Sequence, residues 1–388
     1  MARSRTLVMV LAGGAGSRLD PLTDGRAKPA VPFAGTVRLI DFPLSNCLHS
    51  GLSEVWVIQQ HHPESLSDHL SNGRPWDLDR TYGGLLVLHP RLGEKGGFHQ
   101  GTADALWRNA GLVRQHDADA LVVVSADAVY RLDYAELVAE HHERDADLTV
   151  VTTRVDPADA GRYGVVRTSG GKVTDYAYKP DEPPSDLVAN EVFVFRPAAA
   201  LAALDEAAAE LGEDAVADGA LADLGDTVLP RLVAAGGAVE HRLDGYWRDV
   251  GTIDAYWAAH QDLLGDEPRL DLDDPAWPVR THDAQRPPAR LRPGCAVADS
   301  LVAPACVVEG TVERSVLGPG VRVAADAVVR DSVLLADTVV EAGATVRRAG
   351  LDERTRVGTG ARVGRDGAGI AVTRRDSEVA PDAIVDPD

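Results

Sequence analysis

Three glycines and two cations stand close together near the start of the chain. Leu11-Ala12-Gly13-Gly14-Ala15-Gly16-Ser17-Arg18-Leu19 is followed shortly by Arg26-Ala27-Lys28-Pro29. Glycines let a backbone turn sharply and come close to a ligand. A helix predicted to start near Arg18 would aim its amides at the loop, where a phosphate would sit. Arg18 and Lys28 add full positive charge at the same place. The chemistry this points to is polyphosphate binding. It is not a P-loop, because no Gly-Lys-Ser/Thr closes a four-residue spacer. Nor is it the dinucleotide fingerprint: Gly14 and Gly16 fit, but the third glycine position falls on Leu19. Arginine dominates the basic residues, the lysines being Lys28, Lys95, Lys172 and Lys179, which sets Lys28 apart from general surface charge.

The elements that must position these residues follow from the apolar pattern. Leu7–Leu11, Val55–Gln59, Leu121–Ser125, Leu148–Thr153 and Val192–Phe195 read as buried strands, with helices over Ala103–Gln115 and Tyr134–Asp145. That alternation predicts an α/β fold with a mostly parallel, Rossmann-like sheet. Such sheets bind ligands at the carboxyl ends of their strands. The glycine loop lies at one such end and Asp127 just past another, where an aspartate reads equally as a helix cap. Tyr163 to Thr174, around Gly170-Gly171, predicts a hairpin, and Ala198–Gly212 an alanine-rich helix. Residues 268–295, dense in Pro, Asp and Arg, read as a linker after a catalytic domain spanning 1–267. Beyond them aliphatic residues recur about every six positions: Leu317, Val323, Val329, Leu335, Val340, Val346, Leu351, Val357, Val363. This predicts a left-handed parallel β-helix of hexapeptide repeats over 296–365. A polar tail with partial disorder is expected over 366–388.

The composition narrows the class. With 388 residues and 45% hydrophobic content, the chain can bury more than one core. A formal net charge of −21 argues against a nucleic-acid partner or attachment to an anionic membrane. Anionic substrates then need local cations, for which Arg18, Lys28 and Lys179 are candidates. Cys47, Cys295 and Cys306 are too few and too scattered for a disulfide framework or a zinc cluster. Met1-Ala2-Arg3-Ser4-Arg5 precedes only a short apolar run, so neither a signal peptide nor a membrane span is expected, and the location expected is cytoplasmic.

The glycine loop with Arg26-Ala27-Lys28-Pro29-Ala30-Val31 resembles the signature of sugar-phosphate nucleotidyltransferases. The Arg26–Val31 run narrows the resemblance to the glucose-1-phosphate adenylyltransferase (ADP-glucose pyrophosphorylase) family, and Ile40-Asp41-Phe42-Pro43-Leu44-Ser45-Asn46 extends the match. Trp277-Pro278-Val279-Arg280-Thr281 and Pro287-Pro288-Ala289 narrow it further, to the bacterial glycogen type. The resemblance implies ATP and a sugar 1-phosphate as substrates, Mg²⁺ as cofactor, phosphorylated metabolites as effectors, and a homotetramer. It implies a nucleotide held by Gly13, Gly14, Gly16, Gln59, Gly101 and Thr102. Arg18 and Lys28 would offset the charge of the triphosphate, and Asp127, within Val124–Tyr130, would take part in catalysis. Asp127 and Asp249, the latter in Tyr246-Trp247-Arg248-Asp249-Val250-Gly251-Thr252, would hold Mg²⁺, a hard ion suited to carboxylates. Lys179-Pro180 resembles the lysine that grips the sugar phosphate, and Arg26 and Arg38 match effector positions.

The sugar side departs from the family pattern. His99, Gly164, Tyr178, Lys179, Ala189 and Glu191 fall at its sugar-phosphate positions. Tyr178 stands for the usual Glu, Ala189 for Ser, Glu191 for Gly, His99 for Tyr, and Ala128 for the His after the metal aspartate. A site built for hydrogen bonds discriminates strongly, so these changes bear on the choice of sugar. The activity expected is ATP + α-D-glucose 1-phosphate → ADP-glucose + pyrophosphate. The rivals are a paralogue using another sugar 1-phosphate, such as glucosamine 1-phosphate, or another nucleotide, and a non-catalytic regulatory subunit. Gly25, where fructose-bisphosphate-activated relatives carry lysine, predicts weak or different activation by that effector. An acyltransferase would need a histidine in the β-helix, and none occurs after His282.

Overall fold

The computed structural model describes residues 5–90, 97–367 and 369–387; Lys95 and the N-terminal Met1–Ser4 lie outside the described residues. The first domain is built on a nine-stranded sheet. Across it run Gly84–Leu88, Glu54–Gln59, Thr6–Ala12, Ala120–Ser125, Leu187–Phe195, Leu148–Arg154, Ala238–Arg242, Lys172–Tyr178 and Gly164–Ser169. The first four are mutually parallel. Leu187–Phe195 then runs antiparallel to both of its neighbours, and the hairpin of Gly164–Ser169 with Lys172–Tyr178 closes the far edge. The glycine loop therefore belongs to the parallel half and the predicted sugar residues to the antiparallel half, except His99, which lies beside the loop against Gln60. Apolar clusters cover both faces. Leu7, Met9, Leu121 and Val123 pack on one side, and Val8, Val10, Val122 and Val124 on the other.

Two local readings differ from expectation. No α-helix follows the glycine loop: Ser17–Leu19 is one 3-10 turn, and the chain then folds back through Thr23 towards Lys28. Thr23 and Lys28 lie against the loop, leaving no run of helical residues to continue. The helix expected over Ala103–Gln115 is two, Thr102–Arg108 and Ala110–His116, broken at Asn109, whose side-chain amide donates back to the Ala105 carbonyl at 2.8 Å.

The β-helix is longer than the repeats alone suggest. Three parallel sheets of six, six and five short strands form its walls. Successive coils place Val308, Val323, Val340, Val357 and Val379 in one register column, all buried. The described residues of the expected tail are not a tail: Ala371–Thr373, Glu378–Val379 and Ile384–Val385 pair in register with the coil before them. The linker boundary moves too, since Arg290–Leu291 pairs with Val307–Val308. Such short strands need little apolar signal, so polar flanks hid both ends. Leu335, one of the six-residue repeats, does not enter the prism core. It is buried instead against the catalytic domain, together with Val316 and Val333.

That junction holds a charged lock. Arg26, 2% exposed, donates to Asp352 at 3.1 Å and lies 3.0 Å from Glu353. The linker is strapped down as well: Trp277 donates to the Asn46 side chain at 3.1 Å, and the Arg280 carbonyl accepts from Trp76 at 2.9 Å. Removing one member of a buried pair strands the other charge, so Arg26→Ala is expected to cost about 3–5 kcal/mol. Arg374→Ala, which breaks the exposed pair with Asp24, is expected to cost less than about 1 kcal/mol. Denaturant unfolding of both variants measures the contrast.

Candidate active site

A cleft of about 430 Å³ opens at the carboxyl ends of the central strands. Its floor is made by two cationic and several acidic groups, which four pieces of chain deliver. Gly16 supplies the first constraint. Its φ of 74° is left-handed, and a Cβ there would lie 2.9 Å from both the Lys28 Cβ and Thr23 Cγ2. Only glycine lets the loop close down on the Lys28 segment. Gly14 has open space around it and faces the cleft with Gly13. Gly16 does not line the cleft among the described residues; its role is to seat Lys28.

The two predicted metal aspartates arrive together. Just past Ser125 the chain turns into the short strand Ala128–Tyr130, which pairs antiparallel with Trp247–Asp249, setting Asp249 opposite Ala128. Lys28, 6% exposed, lies with its ammonium 2.5 Å from the Asp127 carboxylate and 3.9 Å from that of Asp249. Ser125 also donates to Asp127, and Arg162 stands 3.8 Å from Asp249. Burial pushes the Asp127 carboxyl up, but the Lys28 ammonium outweighs it and the net shift is downward. Asp249 is raised, by burial first and then by Asp127, against the pull of Lys28, Arg162 and Arg18. Burial lowers Lys28, yet Asp127, Asp249 and Glu191 together hold it above its ordinary value. Arg18 is exposed, is not among the residues that line the cleft, and acts on Asp249 only through space.

On the nucleotide side one prediction is corrected. Gln59 is fully buried away from the cleft, donating to Ser67 at 2.9 Å. The cleft residue is its neighbour Gln60, whose amide donates to the carbonyls of Gly13 at 2.7 Å and His99 at 3.2 Å and accepts from the His99 amide at 2.7 Å. A shift of one residue in a strand exchanges its faces. The strand Glu54–Gln59 is buried on both faces, so no polar alternation sets the phase. His61 lines the same wall and stacks on Phe98 with centroids 5.0 Å apart. Burial lowers the His99 pKa, favouring a neutral ring.

Thr102 opens its helix against a residue that the sequence did not single out. The Asp223 carboxylate accepts from the Thr102 amide at 3.0 Å and from its hydroxyl at 3.2 Å, while Leu224 donates to the Thr102 hydroxyl at 2.8 Å. Two helices thus cap each other. Gly101 permits this approach, since a Cβ there would meet the Ala222 carbonyl oxygen at 2.2 Å. The other oxygen of Asp223 accepts from Tyr178 at 2.7 Å, so Asp223 ties the nucleotide wall to the sugar wall. An aspartate just before a helical pattern was its only sequence signal.

Tyr178, Lys179 and Glu191 line the cleft; Gly164, Tyr176, Ala189 and Gly225 line a small alcove that continues from it. The Lys179 ammonium donates to the Tyr178 hydroxyl at 2.6 Å and sits 4.4 Å above its ring. The absent Cβ of Gly164 leaves room for Tyr176, whose hydroxyl lies 2.2 Å from where it would stand. Glu191 has a left-handed φ of 60° at an irregularity in the strand pairing. Water reaches its side chain from the open cleft, but protein surrounds it. Burial, then Asp127 and Asp249, push its carboxyl up to about 7, against Lys179 and Lys28. Arg26 and Arg38 lie at the domain junction, not in the cleft. Arg26 is committed to Asp352 and Glu353, and Arg38, held below its usual pKa by burial, donates to the Ala30 carbonyl at 3.2 Å.

The nucleotidyl transferase family pattern matches residues 7–266, and the GlmU-like C-terminal hexapeptide pattern matches residues 287–384. A glucose-1-phosphate adenylyltransferase of Thermomicrobium roseum is 42% identical over 79% of this chain and 70% of its own length. Those of Clostridium beijerinckii and Acetivibrio thermocellus are each 37% identical, covering 86% and 88% of this chain and 85% and 79% of their own lengths.

Two measurements check this geometry. Gln60→Ala is expected to raise the KM for nucleotide about tenfold by freeing the loop, whereas Gln59→Ala lowers thermal stability and leaves that KM within about twofold. Glu191 carries a raised folded pKa, so its contribution to stability is present below its unfolded pKa and is lost as pH rises through about 7. The melting temperature of Glu191→Gln relative to wild type is therefore expected to climb from pH 4.5 to 7.5 and then level off.

Proposed function

The chain belongs to the glucose-1-phosphate adenylyltransferase family, and on that premise we propose that it converts ATP and α-D-glucose 1-phosphate to ADP-glucose and pyrophosphate for α-glucan synthesis. The observation that carries the reading is the Lys28 ammonium lying between Asp127 and Asp249 beneath a glycine loop. A phosphate oxygen of the sugar phosphate attacks the α-phosphorus, and the bond to the bridging oxygen of pyrophosphate breaks. No group of the protein need form a covalent bond, so positioning and charge are what it supplies.

The donor set fits Mg²⁺. Two carboxylates already hold a cation between them, and the raised Asp249 carboxyl gains from more positive charge nearby. Among the described residues no third acidic or imidazole side chain completes a cage, which suits an ion that keeps waters and phosphate oxygens. When bound, the ion supplies charge neutralisation on the phosphates. Gly13 and Gly14 offer close backbone approach, with Gln60 bracing the loop against His99. Arg18, just past the loop, and Lys28 on the floor take up the charge of the departing pyrophosphate. Lys179 holds the sugar phosphate from the opposite wall.

No helix among the described residues is long and apolar enough to cross a membrane, and a cytoplasmic location belongs to this reading. So does a homotetramer built on the flat walls of the β-helix. An anionic effector at Arg26 and Arg38 would have to compete with Asp352 and Glu353 for Arg26. Asp127→Asn is expected to lower kcat for pyrophosphate release by about 10²–10³-fold with the fold intact by circular dichroism. A near-wild-type rate would remove Asp127 from the chemistry.

A further inference from the structure

The two acids on the cleft floor are held in different ways. Both oxygens of Asp127 are engaged: the Lys28 ammonium lies 2.5 Å from Oδ2, and the Ser125 hydroxyl donates to Oδ1. Asp249 accepts no hydrogen bond from any described residue. Its oxygens face Lys28 at 3.9 Å and Arg162 at 3.8 Å. At those distances charge still acts, but no directional bond fixes the carboxylate. Asp127 is therefore oriented before any ligand arrives, and Asp249 is only attracted into place.

The difference traces to one hydroxyl at the end of a strand. Successive residues of a strand face opposite sides of the sheet. Leu121 and Val123 lie on one face, packed with Leu7 and Met9. Ser125 follows them on that face, lines the cleft, and ends the apolar run. Its backbone is held firmly, in register with Leu11 of the strand that carries the glycine loop. The next amide, Ala126, donates to the Leu11 carbonyl at 3.1 Å. A rigid strand end thus presents the hydroxyl to the acid two residues on. An ionised carboxylate can only accept, so the hydroxyl proton goes to Asp127. A carboxylate offers about four lone-pair positions, and Ser125 and Lys28 use two of them. The others remain for a cation in the cleft that Asp127 lines.

We propose that Ser125 is a positioning residue for the metal, holding the Asp127 carboxylate in the orientation that receives Mg²⁺, and that Asp127 rather than Asp249 therefore sets the affinity for the ion. This rests on the reading of Asp127 and Asp249 as the metal pair. Partners that orient a ligand without touching the ion are worth about 10–100-fold in metal affinity. Ser125 acts through Asp127 and takes no part in the bonds made and broken.

The test titrates the full chain with Mn²⁺, in the presence of the non-reacting α,β-methylene analogue of ATP, and follows binding by electron paramagnetic resonance. In Ser125→Ala the Kd for Mn²⁺ is expected to rise about tenfold or more. The Mg²⁺ concentration for half-maximal pyrophosphate release rises by a similar factor. Ser125→Thr, which keeps the hydroxyl on the same carbon, recovers most of the loss. Asp127→Asn is expected to raise the Kd further than Asp249→Asn does. A Kd within about twofold of wild type in Ser125→Ala overturns the proposal. So does a fall in kcat at saturating metal with the Kd unchanged, which would place Ser125 in the chemistry itself. A larger loss of binding in Asp249→Asn than in Asp127→Asn overturns the ranking of the two acids. Should Ser125→Ala fail to fold by circular dichroism, Ser125→Cys, similar in size but a weak donor, carries the same comparison. If neither aspartate variant weakens Mn²⁺ binding, the metal-pair reading fails by itself. Losses in both aspartate variants with none in Ser125→Ala refute the role of Ser125 alone.

Discussion

A buried ammonium must be paired, and in this chain that requirement organises the site. Lys28 is nearly sealed from water, and its partners Asp127 and Asp249 come from segments more than a hundred residues apart. Holding both acids on one cation calls for the two-stranded pairing of Ala128–Tyr130 with Trp247–Asp249. Bringing the cation to them calls for a glycine at residue 16, because any side chain there would strike Lys28 and Thr23. Either acid alone would repel its neighbour once buried. The lysine makes the acid pair tolerable in the folded protein. Stability and chemistry thus draw on the same three charges.

The junction with the β-helix repeats the device with the opposite geometry. Arg26 lies only two residues before Lys28, yet it points away from the cleft into Asp352 and Glu353. The short run Arg26-Ala27-Lys28 therefore anchors both the second domain and the active-site floor. A displacement at the junction would be felt at Lys28 through two peptide units. The packing of the β-helix and the charges of the cleft thus share one short segment of chain.

Much of this was legible in residues. The loop and Lys28 carry strong local signals, because close backbone approach and buried charge tolerate few residue types, whereas Asp127 read equally as a helix cap and was singled out with Asp249 by resemblance. What escaped notice had weak or ambiguous signals. Gln60 was missed for Gln59 because a strand buried on both faces has no alternation to fix its phase. Asp223 looked like an ordinary residue before a helix, and its second role, linking Thr102 to Tyr178, is purely tertiary. The last coil of the β-helix was read as a tail because such a strand buries as little as one aliphatic, as at Val379, among arginines and aspartates. The helix expected after the loop failed for a different reason: the glycines serve the return of the chain to Lys28, and a continuing helix would have carried it away.

The two halves of the cleft reach their geometry by different means. On the nucleotide side the left-handed turn falls on Gly16, where it carries no steric cost. On the sugar side left-handed backbone falls on Lys179, at φ 44°, and on Glu191, at φ 60°. A side chain in that region costs on the order of 1 kcal/mol or more, and glycine would remove the cost at either position. The strain is therefore borne for the sake of the side chains, one cationic and one anionic, that both line the cleft. The nucleotide half is shaped for a phosphate chain whose chemistry does not vary, whereas the sugar half is shaped by two charged residues held where the backbone resists them.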